Sequence, residues 1–231
     1  MKLSVIISVY QSYEIVRRQL LHFEKLRRSA DLPFEVIIVD DGSNPPILGA
    51  KYFTGNNLAW TQGLGRNLGA SKATGEYLLM TDIDHIISKE AIEDALNFTG
   101  NKMIFRRRIA VLDENGDIRQ DKETLKDWGY ERDNLDASVH GNTFVIKKSI
   151  FEELGGYTPE HSLIGYHPKS RKGDDCYFNT KWNHKYQVAP VMGRDIYMFP
   201  IGRFNKDGNL NPKGLFHNLS QQKQEKFYKH E

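Results

Sequence analysis

Asp82 and Asp84 stand one residue apart at the end of the apolar run Tyr77-Leu78-Leu79-Met80, with His85 directly behind them. A strand continuing through them would point both carboxylates the same way, toward one hard cation. Magnesium or manganese takes a few carboxylates and completes its shell with substrate phosphates. The same residues also suit a plain exit from a strand into solvent. A second acidic pair, Asp174-Asp175 in "RKGDDCYF", falls at a loop-to-helix junction. The helix dipole favours carboxylates there, and one of them can equally take a proton from an attacking hydroxyl as a general base. No Ser/His/Asp or Cys/His nucleophile arrangement is signalled.

The elements that must position these groups follow from hydrophobic periodicity. Residues 3–9 are a β-branched apolar run, as in a buried strand. From Ser12 to Arg28, apolar residues recur at helical spacing (Ile15, Val16, Leu20, Leu21, Phe23, Leu26). "FEVIIVDDGS" repeats the strand pattern and stops in a turn composition, and Pro45-Pro46 blocks an immediate helix. A third short strand is predicted around residues 57–60. "GLGRNLGASKATGE" reads as a helix ending near Gly75, "YLLMTDID" as the next strand, and a Ser88-capped helix runs to about Phe98.

Alternating strands and helices predict an α/β sandwich with parallel pairing and right-handed crossovers. Ligands then bind outside the carboxyl ends of the strands. Three polar clusters lie there and should share one crevice: Ser8, Val9 and Tyr10; Asp40 to Ser43; and Asp82 to His85. Past residue 100, "IAVLDENGDIRQ" reads as a hairpin turning at Asn115-Gly116. "NTFVIKKSIFEELGGY" reads as a strand, a short helix over about 149–154 and a glycine cap at Gly155. From Pro190 onward the glycines, prolines and polar residues suggest a loop or lid. One domain over 1–231 is the expectation.

Other motifs carry less. "GLGRNLG" is not a dinucleotide fingerprint, because its spacing is wrong and it does not follow the first strand. Its glycines fit a close helix–sheet approach, with Arg66 available to a phosphate. "DENGD" and "NKDGN" imitate calcium loops without completing one, since Ile118 stands where glycine is required in the first and neither closes on an acidic residue. The arginines at 106–108 form, with Lys102, Arg119 and Lys122, a basic cluster: a solvated face or a contact for an anionic acceptor. The formal net charge of +2 does not imply polyanion binding. One cysteine excludes an internal disulfide framework, and no apolar stretch approaches the ~20 residues of a membrane span. The expectation is a soluble, cytoplasmic protein.

In order and spacing, "SVIISVYQ", "FEVIIVDDGS", "GLGRNLGASKATGEYLLMTDID", "FEELGGY" and "KGDDCYF" resemble the family 2 glycosyltransferases of the GT-A fold. The resemblance covers residues 3–90 well, 140–185 more loosely and 190–231 hardly at all. It implies a mostly parallel, Rossmann-like sheet with helices on both faces, and a C-terminal lid or acceptor region. Residues 1–100 would bind the nucleotide-sugar, 101–189 the acceptor, and 190–231 would be the lid-like tail. The implied reaction moves a sugar, with inversion, from a nucleotide-sugar (a UDP-sugar) to a hydroxyl acceptor, a glycan ahead of a nucleic acid, with Mn2+ or Mg2+. By motif, Ser8, Val9, Tyr10, Asp40 and Asp41 would hold the nucleoside. Arg66 and Asn67 would lie near the diphosphate or the sugar, Asp82 would face ribose and metal, and Asp84 would bind the metal. Asp175 would be the base, with Asp174 where the family usually has Glu. His217 is the implied late metal ligand, ahead of His85 and His140. A nucleotidyltransferase, an inert sugar-nucleotide-binding protein of this fold and a transferase acting on modified nucleic acid are the competing readings. The first would need a glycine-rich phosphate loop after the first strand, which "SVYQSYE" does not supply.

Overall fold

A computed structural model describes residues 2–10, 12–54, 62–139, 141–158 and 174–200. The strands predicted from apolar runs are present as β1 (Leu3–Val9) and β2 (Phe34–Asp40), followed by the two-residue β3 (Tyr52–Phe53). The third strand placed around residues 57–60 lies outside the described residues. Then come β4 (Tyr77–Thr81), β5 (His85–Ile86), β6 (Lys102–Ile109), a hairpin of β7 (Val111–Leu112) and β8 (Ile118–Arg119), β9 (Asp136–Ala137), β10 (Phe144–Lys147) and β11 (Val191–Met198). The helices are α1 (Tyr13–Ala30), α2 (Gln62–Lys72), α3 (Lys89–Asn97), α4 (Lys122–Asp127), α5 (Lys148–Glu153) and α6 (Asp174–Tyr186).

The main sheet runs β3-β2-β1-β4-β10-β6-β11-β5, with β9 beside β6. It is parallel from β3 to β4, where the βαβ pattern was strongest. It then becomes mixed, because β10 runs antiparallel to both β4 and β6. The expectation of a mostly parallel sheet therefore holds for the first half. In the second half the order β10-β6-β11-β5 is out of chain sequence, so the connections there cross over neighbouring strands.

Strand alternation divides the core. Leu3, Val5, Ile7 and Val9 join Ile15, Val16 and Phe23 of α1 and Ala91, Ile92 and Ala95 of α3 on one face. Ile6, Ile37, Val39, Leu78 and Met80 meet Ala70 of α2, Ile150 and Phe151 of α5, and Phe178 and Trp182 of α6 on the other. Helices thus cover both faces. The α2 glycines permit their close approach: a Cβ on Gly65 would sit 2.2 Å from Ser8 Oγ, and one on Gly69 2.5 Å from Ile6 Cγ2.

The chain between β4 and β5 dictates the curvature. Those strands are separated by β10, β6 and β11 in the sheet order, yet residues 82–84 alone join them. Four strand spacings of ~4.8 Å would put them about 19 Å apart on a flat sheet, while four residue steps reach at most about 14 Å. The sheet therefore curls on itself, and the D-x-D segment crosses the gap.

Lys102 at the start of β6 is buried in an aromatic cage. Its Nζ lies 4.7 Å from the Phe144 ring centroid, 5.1 Å from that of Trp182 and 5.7 Å from that of Phe178, and donates to Asn179 Oδ1 at 2.6 Å. Burial pushes its ammonium down to about 8 from 10.5. Below that pH Lys102 is charged whether folded or not, and burial costs stability. Between the two values the folded amine is neutral while the unfolded one still holds its proton, so stability rises with pH. We expect wild type to gain on the order of 2–3 kcal/mol relative to Lys102→Met between about pH 7 and pH 10.5, read by urea denaturation.

Candidate active site

The D-x-D carboxylates are not presented by a continuing strand, as the sequence pattern predicts, because β4 stops at Thr81. Residues 82–85 form a turn closed by the His85 N–H donating to Asp82 O at 3.1 Å. The turn still gathers the three groups: one ligand atom from each of Asp82, Asp84 and His85 lies within 4.8 Å of the others.

Each group has a different electrostatic setting. The Asp82 carboxylate accepts from Gln62 Nε2 at 2.6 Å and from Arg66 Nη2 on Oδ1, and from Asn142 Nδ2 at 3.0 Å on Oδ2. Its charge is thus neutralised and its rotamer fixed by three donors, two on α2 and one just before β10. Asp84 accepts no side-chain bond from the described residues, while its backbone carbonyl takes the Phe199 N–H at 3.0 Å. His85 is buried, with Nε2 3.0 Å from Arg107 Nη1 and Nδ1 against Thr143 Oγ1. A guanidinium can only donate. The His85 Nε2 lone pair therefore accepts from Arg107, and Nδ1–H donates to Thr143. Thr143 Oγ1 lies 3.0 Å from Thr81 Oγ1, which in turn reaches Asp82 O at 3.3 Å. Burial lowers the Arg107 pKa, while Asp84 and Asp82 pull it back up.

Two carboxylates and an imidazole are a donor set that suits manganese or magnesium. The fit is best at Asp84, whose carboxylate is uncommitted among the described residues. At His85 the nitrogen lone pair is already engaged by Arg107, so a cation would gain that ligand only by displacing the guanidinium. His217 and His140, the other predicted histidines, lie outside the described residues.

The remaining predicted residues sort by what their polar groups touch. Arg66 is fully buried in α2; besides Asp82 it donates to Tyr157 Oη at 3.3 Å, and its guanidinium carbon sits 5.4 Å from that ring's centroid. Asn67 donates to Tyr157 O at 2.7 Å and accepts from Tyr157 N at 2.9 Å. Both groups expected near the diphosphate or sugar thus reach protein partners. Gly156 completes this clasp: its φ is +57°, and a Cβ there would meet Asn67 Oδ1 at 2.6 Å. Asp40 is fully buried, and its two oxygens accept the Ser43 and Ile47 N–H groups at 2.9 and 2.8 Å, shaping the turn after β2. Asp41 accepts from Thr54 Oγ1 at 2.8 Å. Ser8 and Val9 are buried at the end of β1, and Tyr10 follows them. Burial, then Tyr13, Asp41 and Asp40, raise the Tyr10 phenol's pKa, which places it beside the Asp40 cluster. Asp174 and Asp175 open α6, as the helix-junction reading predicts. One turn on, Asn179 donates to Gly141 O at 3.4 Å, next to the Asn142 that holds Asp82.

Sequence reasoning missed Gln62, Thr143, Asn142 and Arg107. Arg107 had a signal: strand alternation splits the run at 106–108, burying Arg107 with Phe105 and Ile109 while Arg106 stays exposed. The basic cluster is therefore not one surface.

The sheet order, the helices on both faces and the acidic turn at the end of β4 define a GT-A architecture. Residues 4–155 match the sequence profile of Glycosyl transferase family 2, and the chain belongs to that family. It is 35% identical over 111 residues to the poly(ribitol-phosphate) beta-N-acetylglucosaminyltransferase TarS of Staphylococcus aureus (strain Mu50 / ATCC 700699), covering 42% of this chain. The chain spans about 19% of the length of the curated relatives it matches. The crystal structure of S. aureus TarS 1-349 in complex with UDP-GlcNAc aligns with a TM-score of 0.54 at 19% identity, over 87% of this chain and 59% of that one. TarS 1-349 alone gives 0.53 at 20% identity, over 86% and 60%. At such identities the likeness is one of fold. No helix among the described residues is long and apolar enough to cross a membrane.

The Asn67 clasp should carry measurable stability. Asn67→Ala removes both hydrogen bonds to the Tyr157 backbone, and we expect a loss of about 1–3 kcal/mol in chemical denaturation. Asn67→Asp keeps the acceptor but sets a carboxylate against the Tyr157 carbonyl, and should not recover it.

Proposed function

We propose that this protein is a metal-dependent inverting glycosyltransferase that moves a sugar from a UDP-sugar to a hydroxyl of a glycan-type acceptor. The observation that carries the reading is the Asp84 carboxylate. It is uncommitted among the described residues and stands beside a neutralised Asp82 at the carboxyl end of β4. A site that fixes one carboxylate and leaves its neighbour open has the character of a cation seat. Family membership supports sugar transfer, and the TarS complex with UDP-GlcNAc supports the donor class. The acceptor class rests on TarS being named for poly(ribitol-phosphate). The inward turn of Arg107 removes support from a nucleic-acid acceptor, since it divides the basic run that suggested one.

In this reading residues 1–100 take the nucleotide-sugar and 101–189 contribute the acceptor side, all within one domain. The loop or lid expected from residue 190 is corrected at Val191–Met198, which pairs into the central sheet as β11, and the tail from residue 201 lies outside the described residues. Ser8, Val9, Tyr10 and Asp41 line the nucleoside end, and Asp40 holds the turn that shapes it. Arg66 and Asn67 act through Asp82 and Tyr157. When bound, Mn2+ or Mg2+ supplies Lewis-acid charge for the departing diphosphate. The acceptor oxygen attacks the anomeric carbon opposite the diphosphate. The new C–O bond forms as the bond to phosphate breaks, and the hydroxyl proton passes to Asp175. A carboxylate within ~3 Å of that hydroxyl makes it an adequate nucleophile. Asp174 is the other member of the acidic pair.

Two substitutions test this. Asp84→Ala should abolish manganese-dependent UDP binding by calorimetry and nearly all UDP release from a UDP-sugar screen. Asp175→Asn should lose transfer by about 10²–10⁴-fold, the usual contribution of a general base, while keeping UDP affinity. Near wild-type transfer by Asp175→Asn would remove it as the base. Metal-independent UDP binding by the wild type would remove the cation seat.

A further inference from the structure

Two polar residues interrupt the apolar face of α1 where the helical repeat calls for core: Gln19 and His22, 0% and 5% exposed. Gln19 Nε2 donates to Ile83 O at 3.0 Å and to His85 O at 2.9 Å. His22 Nε2 lies 2.9 Å from Ile87 O, and its Nδ1 lies 3.0 Å from Gly116 O. Ile83 lies in the turn and Ile87 just past β5, yet the carbonyls of Ile83, His85 and Ile87 all face α1. Among the described residues no strand pairs on that side, because β5 ends the sheet order and β11 pairs with it on the other. The side chains of α1 stand in the place of a neighbouring strand. Gln19 uses both amide hydrogens, and its Oε1 is buried with no partner among the described residues. An orphaned buried acceptor is tolerated where the amide's other end is needed.

We propose that Gln19 and His22 are positioning residues for the D-x-D turn, holding the backbone on either side of Asp84 so that its carboxylate keeps its place beside Asp82. The proposal rests on the reading of that turn as the cation and nucleotide site. His22 extends the support to the hairpin turn. There a Cβ on Gly116 would meet His22 N at 2.7 Å, and Lys25 pairs with Asp117 at 2.6 Å. The hairpin is thereby docked on the same helix that holds the site.

The test compares Gln19→Met, which removes both donors at similar volume, with Phe23→Leu, a core change on the same helix that leaves the carbonyls held. Two readouts are taken on the full chain: amide exchange of His85 and Phe199, which close the turn, and the manganese-dependent affinity for UDP. Gln19→Met should speed exchange at both amides and weaken that affinity about 10-fold, the lower end for residues supporting metal ligands. Phe23→Leu, at a comparable drop in melting temperature, should leave the affinity within about twofold. If Gln19→Met does not fold, His22→Phe replaces it, with His22→Gln expected to restore affinity by returning a donor to Ile87. Equal effects of the Gln19 and Phe23 changes, or faster exchange with unchanged affinity, would overturn the proposal. A wild-type protein that binds no UDP with manganese would instead sink the functional reading; unchanged exchange in Gln19→Met would then sink the support itself.

Discussion

The segment of residues 82–84 is the constraint on which the rest depends. It is too short to span a flat sheet between β4 and β5, so the sheet must curl until its distant strand returns to its middle. The curl brings the start of β10, the inward side chain of β6 and the end of β11 around one turn. Thr143, Arg107 and Phe199, which are remote from Asp84 in sequence, all touch that turn or its flanking histidine. Nearly every backbone carbonyl of the crossing is then held by a defined donor, as a buried irregular segment requires.

Charge balance follows from the same geometry. A buried guanidinium is costly unless paired and hydrogen-bonded. Arg66 meets that demand with Asp82, the Tyr157 hydroxyl and the Tyr157 ring. Tyr157 is in turn fixed by Asn67 and by the positive-φ glycines before it. The Arg-Asn pair of α2 and the Gly-Gly-Tyr corner, about 90 residues apart, are therefore two halves of one support. Its output is the orientation of Asp82. Residues that resemble substrate contacts when read as a motif here reach protein partners and orient Asp82.

The first half of the fold was legible because its signals are local. Leu3 to Val9 and Phe34 to Asp40 are apolar runs of strand length, and Ser88 caps α3 by accepting the Ala91 N–H, as a serine before an apolar helix predicts. The site was legible as residue types at strand ends. What escaped is set by register and closure. Two-residue strands such as β3, β5 and β9 have no periodicity to read. The antiparallel entry of β10 depends on a loop, not on a pattern. The turn at Asp82 looked like strand because its neighbours Leu78 to Met80 are strand. Gln19 and His22 were readable in principle, as polar residues on a buried helical face, but their partners are carbonyls more than 60 residues away.

The position of Arg107 sharpens what a cation at this turn would meet. A histidine beside two carboxylates is an obvious third ligand, yet its Nε2 lone pair accepts from Arg107, and its other nitrogen is committed to Thr143. Arg107 is itself held by Ser138 O at 2.7 Å, so it is anchored from the far side. Drawing His85 onto a metal would break the Arg107 contact and leave a buried guanidinium facing a second positive charge. Repulsion between the two positive charges would oppose that exchange of ligand. Asp84 is therefore the ligand the protein offers without rearrangement. The His85–Arg107 contact then stays intact, with the guanidinium near both carboxylates.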